Sequence, residues 1–244
     1  INIIPIFFVT ITKNHIFYKM IPDSHFHLPS NFSKEDFVKE LQKQHYTGEV
    51  STCFPHLWDS EIAILKNSLH FSHSIGIHPE IVSQVSEKDL TLLKKLLLEN
   101  PELSIGECGL DKRFENYNPK GKQEFVFRKQ VQFAKELNRK IVIHYVGDFY
   151  RVLNILKEEL PKDHPIYIHR YSSNEQATQE ALYFKNILFG NPKNIKNMPL
   201  EKICYESDAD DKFYHKSKTI YESVEQMIQI VKNEFSRIKR QVFI

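Results

Sequence analysis

The chain has 244 residues, 41% hydrophobic and 26% charged, which excludes a disordered or collagen-like protein and fits one large domain or two small ones. Its 33 basic and 31 acidic residues nearly cancel, so there is no basic stripe of the kind that grips nucleic acid by charge, although a metal can hold a phosphate instead. Three cysteines without repeated spacing exclude a disulfide framework and point to a reducing, cytoplasmic compartment.

The first ten residues are apolar but interrupted by Pro5, with neither a basic leader nor a small-residue cleavage site, and are too short to span a bilayer. Residues 1–19 read either as an extension outside the working protein, with Met20 at its start, or as a strand packed on the core. From there on, short apolar runs alternate with longer segments of 3.6-residue period. The runs are Ile21–His27, Glu49–Phe54, Ser72–His78, Leu103–Gly109, Lys140–His144, Ile166–His169, Ile187–Gly190 and Lys202–Asp208. Their ends lie roughly 26 residues apart on average, in keeping with βα units of about 30 residues. Eight such units predict a single-domain α/β protein, a (β/α)8 barrel over residues 20–244.

The intervening segments read as helices. Ser33–Asp36 and Ser173–Gln176 have the spacing of capping boxes. Leu90, Leu93 and Leu97 form one face of a helix that stops at Asn100-Pro101. Gln123–Leu137 carries Phe127, Val131 and Ala134, and the last helix carries Tyr221, Val224, Ile228, Val231, Phe235 and Ile238, all read as core. The stretch between Gly190 and Lys202 holds two prolines and predicts a distorted or very short helix. No run of 18 apolar residues appears, so no membrane association is expected. The chain stops straight after its last helix, which leaves that end open to being incomplete.

Histidine, with 12 copies, is placed with a pattern. His25, His27, His78, His144 and His169 end predicted strands, as do Glu107 and Asp208. In a parallel barrel these ends converge on the face that carries active sites. In His25-Phe26-His27 the two imidazoles point to the same side of the strand and Phe26 to the other. Four histidines and two acids at matching strand ends need partners, because unsatisfied buried polar groups cost several kcal/mol. A metal supplies them, and the expected ligands are His25, His27, Glu107, His144, His169 and Asp208. Imidazole and carboxylate without thiolate suit Zn, Mn or Fe. Six ligands exceed a mononuclear zinc site, and two cations bridged by a carboxylate account for the number. Cys53, Cys108 and Cys204 read as small buried hydrophobes, with Cys108 turned away from the metal side. No P-loop, GxGxxG or GxSxG supports a nucleotide or serine-nucleophile reading.

DSHFHL (Asp23–Leu28), SIGIHPE (Ser74–Glu80), SIGECGLD (Ser104–Asp111), KIVIH (Lys140–His144), IYIHRYSSNEQA (Ile166–Ala177) and ICYESDA (Ile203–Ala209) occur in the order found in TatD-related metal-dependent deoxyribonucleases. The resemblance runs from about Met20 to the C-terminus. It implies an amidohydrolase-type TIM barrel with two divalent cations (Zn, Mn or Mg) and phosphodiester hydrolysis by a metal-activated water, typically of DNA and of the 3′-to-5′ exonuclease kind. Carried over by position, His25, His27 and Asp208 hold the first metal, His144 and His169 the second, and Glu107 bridges both. His78 sits beside the site without ligating and, with Asp111 and Arg113, contacts substrate. The chain departs from the family where the usual His-Cys/Gly-Phe is His169-Arg170-Tyr171, where Glu-Thr-Asp is Glu206-Ser207-Asp208, and where an Asn and a Phe after the last helix are missing.

The implied roles are Asp208 as acceptor of the water's proton and Glu107 as bridging ligand, with Arg113 and the metals neutralising phosphoryl charge. Few basic clusters predict weak, sequence-independent contact with DNA ends or single strands, and no obligate protein partner. Two other readings stand beside this one. The same site could hydrolyse another ester or amide, such as D-aminoacyl-tRNA, or the chain could be a non-catalytic metal-binding remnant. A barrel bridged by a carbamylated lysine is disfavoured by Glu107 in that place.

Overall fold

The computed structural model describes residues 21–66 and 68–242, with Ile21 and Val242 as backbone only. The question of residues 1–19 lies outside the described residues. Eight strands alternate with helices: β1 Ile21–Phe26, α1 Lys34–Lys43, β2 Tyr46–Thr52, α2 Trp58–Leu65, β3 Phe71–Ile75, α3 Glu87–Glu99, β4 Ser104–Asp111, α4 Lys122–Leu137, β5 Ile141–Val146, α5 Phe149–Glu159, β6 Ile166–Ile168, α6 Glu175–Ala181, β7 Ile187–Gly190, β8 Ile203–Cys204, α7 Asp211–Tyr214 and α8 Ile220–Val242. The strands are parallel and pair in sequence order from β1 to β8. The ring is drawn shut by backbone bonds between β1 and the chain leaving β8: Ser24 N–H to Tyr205 O at 2.8 Å, Asp208 N–H to His25 O at 3.0 Å and His27 N–H to Ala209 O at 2.9 Å. This is the expected (β/α)8 barrel.

The core divides by position. Around β3 to β7 the helices bury Leu93, Leu97, Phe127, Val131, Leu153 and Leu156 against Ile105, Ile143 and Ile168. A second cluster, where the ends of the barrel meet, joins Phe26, Phe37, Leu41, Tyr46 and Val50 to Tyr214, Val224, Met227 and Val231. Phe26 therefore faces outward from the barrel, packed on Tyr46 and Phe71. In α8, Val224, Ile228, Val231 and Ile238 are buried as expected, but Tyr221 and Phe235 are exposed. The apolar stripe there is wider than the surface that receives it.

The caps obey the same local chemistry with one shift. Ser33 caps α1 by accepting from the Asp36 N–H. The cap of α6 is Asn174, accepting from Ala177 N, and not Ser173. The segment before β8 forms only a 3-10 turn at Leu200–Lys202, as its prolines predict.

Two irregularities in the ladder shape the mouth of the barrel. Between Asp23 and Phe26 the register of β1 on β2 slips by one residue, and β4 slips on β5 between Ile105 and Cys108. A bulge re-aims the side chain it carries, and these two carry His25 and Glu107. Gly109 is the residue that lets β4 lie close to β5: its φ is +150, and a Cβ there would strike the His144 carbonyl.

Candidate metal centre

Glu107, 3% exposed, sits at the centre of the barrel mouth. Its two oxygens divide the imidazoles between them. Oε2 faces His25 Nε2 at 3.1 Å and His27 Nε2 at 3.4 Å. Oε1 faces His144 Nδ1 at 2.9 Å and His169 Nε2 at 3.2 Å. Asp208 closes the ring with Oδ1, 3.6 Å from His169 Nδ1 and 3.8 Å from His25 Nε2. Residues from five places in the chain are thus brought together, and all six expected ligands are among them.

Three of the imidazoles are oriented from behind. His27 donates from Nδ1 to the Ser51 carbonyl at 2.7 Å, which leaves Nε2 to face Glu107. His25 Nδ1 meets Ser51 Oγ at 3.3 Å, and that hydroxyl is in turn tied to Ser74 Oγ at 2.6 Å. His144 Nε2 bonds to Asp111 Oδ2 at 2.8 Å. A carboxylate behind a histidine fixes its ring and raises its basicity, as in many metal sites. Asp208 has φ +51. It is held there by its neighbour Ser207, which donates N–H and Oγ–H to the fully buried Asp23. Asp23 also takes Tyr46 Oη and the His25 N–H, so one carboxylate ties β1 to the loop after β8.

Burial works against the charge on Glu107, but the surrounding imidazoles hold its carboxyl well below the ordinary range. Burial likewise pulls on His25 and His144, while Glu107 lifts His25 above the usual value and Asp111 with Glu107 lifts His144 to about 9. His169 goes the other way, driven well below the usual value by burial and its cationic neighbours. Its Nδ1 is buried with no hydrogen-bond partner. A lone buried nitrogen beside Asp208 and Glu206, on a ring whose Nε2 faces Glu107, in an all-imidazole and carboxylate donor set fits a divalent cation. Three overlapping groups could hold one: His25, His169 and Asp208; His25, His27 and Glu107; His78, Glu107 and His144. The ligand atoms within each group lie within 4.8 Å of one another.

The remaining expected site residues lie around this centre. His78 packs edge-on against His144, with ring centroids 4.3 Å apart, and its Nδ1 accepts from Glu80 N at 3.1 Å. It is thus beside the centre, but also within one of the three ligand groups. Arg113 is half-exposed on the loop after β4. Asp111 is fully buried, and its carboxylate is taken up by Arg113 and His144. It faces the ligand set through His144.

Several participants carry no signal that sequence reasoning used. The Cys53 thiol points at Glu107 Oε2 from 3.7 Å. Burial and Glu107 lift its pKa to about 11. Cys108 does turn away, toward the Val142 carbonyl. Glu206 is buried against Tyr167 Oη and the Arg170 N–H, and burial lifts its carboxyl to about 8. Gln123 and Gln130, both fully buried on α4, clamp two mouth loops by their backbone. Gln123 bonds to Asp111 N and O, and Gln130 to Ile77 N and O. Two amides seven apart on an otherwise apolar helix face were the available signal.

A family model described as TatD related DNase matches residues 22–243. Among curated relatives, an uncharacterized metal-dependent hydrolase of Bacillus subtilis, YabD, is 32% identical over 140 residues, covering 57% of this chain and 54% of its own. The human 3′-5′ RNA nuclease TATDN2 is 27% identical over 216 residues, covering 77% of this chain and 28% of its own. The chain therefore spans about half the length of the first and less of the second. The crystal structure of YjjV, a TatD homologue of Escherichia coli, superposes with a TM-score of 0.68 at 16% identity, over 89% of this chain and 97% of that one. That likeness bears on the fold alone.

Proposed function

The chain belongs to the TatD-related DNase family, and from that premise we propose that it is a metal-dependent hydrolase that cleaves phosphodiester bonds of nucleic acid, from ends or in single strands. Relatives named as metal-dependent hydrolases and as a 3′-5′ RNA nuclease support the class. The observation that carries the reading is the division of labour on Glu107. One oxygen faces His25 and His27 and the other His144 and His169, so that two divalent cations would be held by one pair of imidazoles each, with Glu107 as the carboxylate between them. Two such ions, when bound, supply a water of lowered pKa and positive charge for the phosphoryl oxygens.

The chain's own residues do the rest. His25, His27 and Asp208 form one half of the ligand set and His144 and His169 the other. Asp111 holds the ring of His144, and Ser51 holds those of His25 and His27. Asp208, with Oδ1 facing the centre, accepts the proton of the attacking water. Arg113, beside Asp111, offers a guanidinium to a substrate anion. Among the described residues no helix is long and apolar enough to cross a membrane, and three free cysteines fit a reducing cytoplasm.

The test is elemental analysis of the purified protein paired with hydrolysis of end-labelled single-stranded DNA and RNA, with and without Mg, Mn or Zn. About two cations per chain and cation-dependent release of nucleotides are expected, with Glu107→Ala and Asp208→Asn each lowering the rate by at least the ~10²–10⁴-fold attached to acid–base groups. Near-normal rates in either variant would overturn its assignment. Bound metal with no cleavage of DNA or RNA would move the activity to another ester or amide.

A further inference from the structure

Arg170 directly follows the candidate ligand His169. Its φ is +44, the left-handed region that costs a residue with a side chain energy. The loop is held in that shape without help from the side chain. The Arg170 N–H donates to buried Glu206 at 2.6 Å, and Tyr171 N–H donates to Gly190 O at 2.8 Å. An arginine tolerated there at a cost calls for a role of its own.

The side chain is 69% exposed, and its Nη1 reaches Asp208 Oδ2 at 2.7 Å. The guanidinium therefore lies at the rim, one carboxylate away from the ligand cluster, because Oδ1 of the same Asp208 faces His25 and His169. A surface ion pair of this kind adds little to stability. Among the described residues its hydrogen bond goes to Asp208 alone, so Nε and Nη2 are left to a ligand. Arg113, across the mouth, spends both Nε and Nη2 on Asp111. Arg170 thus offers the freer fork, and a planar fork of N–H donors matches phosphate oxygens.

We propose that Arg170 is a specificity-determining contact to a backbone phosphate of the strand next to the bond being cleaved, favouring a polyanionic strand over a small phosphodiester. This rests on the nuclease reading of the same site. The test uses the full chain as purified, with a fluorescein-labelled single-stranded ten-mer carrying hydrolysis-resistant phosphorothioate linkages. Its binding is followed by anisotropy across a salt series for wild type, Arg170→Gly, Arg170→Met and Arg170→Lys. Cleavage of an ordinary ten-mer and of thymidine 5′-p-nitrophenyl phosphate is measured in parallel with Mn. The Gly and Met variants should bind more weakly, with the slope of log K against log salt smaller by about 0.7, the value for one phosphate on a single strand. Lys should restore the slope. The loss in kcat/KM should be at least about tenfold larger for the strand than for the small diester, a margin of about 1.4 kcal/mol in transition-state binding. Equal salt slopes in wild type, Gly and Met, or equal losses on both substrates, would overturn the proposal. Wild type that cleaves neither substrate would defeat the nuclease reading instead, and the salt slopes would still decide whether Arg170 meets phosphate.

Discussion

Replacing Gln123 by Met tests whether the mouth loops are held by buried amides or merely packed. Gln123 is fully buried in the first turn of α4. Its Oε1 accepts from Asp111 N at 2.9 Å, and its Nε2 donates to Asp111 O at 3.0 Å and to Glu115 O at 2.8 Å. Methionine keeps the length and removes every polar atom. The Asp111 N–H is then stranded inside the protein, which costs about 1–3 kcal/mol. The carbonyls lose less: Asp111 O keeps the Phe114 N–H, and Glu115 is exposed. Together they add about 1 kcal/mol. The expected loss is about 2–4 kcal/mol, or a Tm lower by roughly 4–16 °C for a chain of this size. Urea unfolding should show a lower midpoint at unchanged slope, since the fold that unfolds is the same. A loss below about 1 kcal/mol at unchanged slope would mean that water or the Met itself replaces the amide, and that the loops are not clamped by Gln123.

Gly109→Ala combines a Cβ driven into the His144 carbonyl with a φ of +150. It should leave little or no folded protein, and a soluble variant with wild-type Tm and circular dichroism would contradict the geometry. His73 is a case of pH linkage away from the metal centre. Its Nε2 meets Thr52 Oγ1 at 2.7 Å, whose hydroxyl donates to Glu61, and its buried Nδ1 has no partner. Burial lowers its pKa from 6.5 to about 3. The unfolded chain therefore takes up a proton below pH 6.5 that the folded chain refuses until about 3, and stability falls as pH drops through that window. The slope is at most about 1.4 kcal/mol per pH unit, so roughly 2 kcal/mol is lost from this residue between pH 6.5 and 5. His73→Gln should flatten this part of the acid limb in urea melts, and parallel wild-type and variant curves from pH 7 to 5 would refute it.

The amino-acid sequence alone determined the barrel, because strand and helix periods are local. Eight apolar runs separated by 3.6-period segments bury their faces as a parallel sheet covered by helices, and eight is the number of units that closes into a barrel. It also determined which side chains gather at the mouth: strand ends converge, so His25, His27, Glu107, His144, His169 and Asp208 could be named before their distances were known. The two-residue alternation placed Phe26 outward, where it packs on Tyr46 and Phe71. The capping pattern worked at Ser33, and it missed by one residue at Asn174, where Ser172 N–H is first spent on Tyr145 Oη and the chain turns late into α6.

What only the tertiary structure decided is how those residues divide. That Glu107 offers one oxygen to each pair of histidines depends on the register slips in β1 and β4, which leave no local pattern in the sequence. That Asp111 turns inward to His144, that Cys53 points at Glu107, and that Gln123 and Gln130 hold loops more than ten residues away are likewise matters of register and crossing distance. Periodicity settles the face on which a residue lies. The partner it meets there is chosen by chain segments distant in sequence, through packing that no single segment contains.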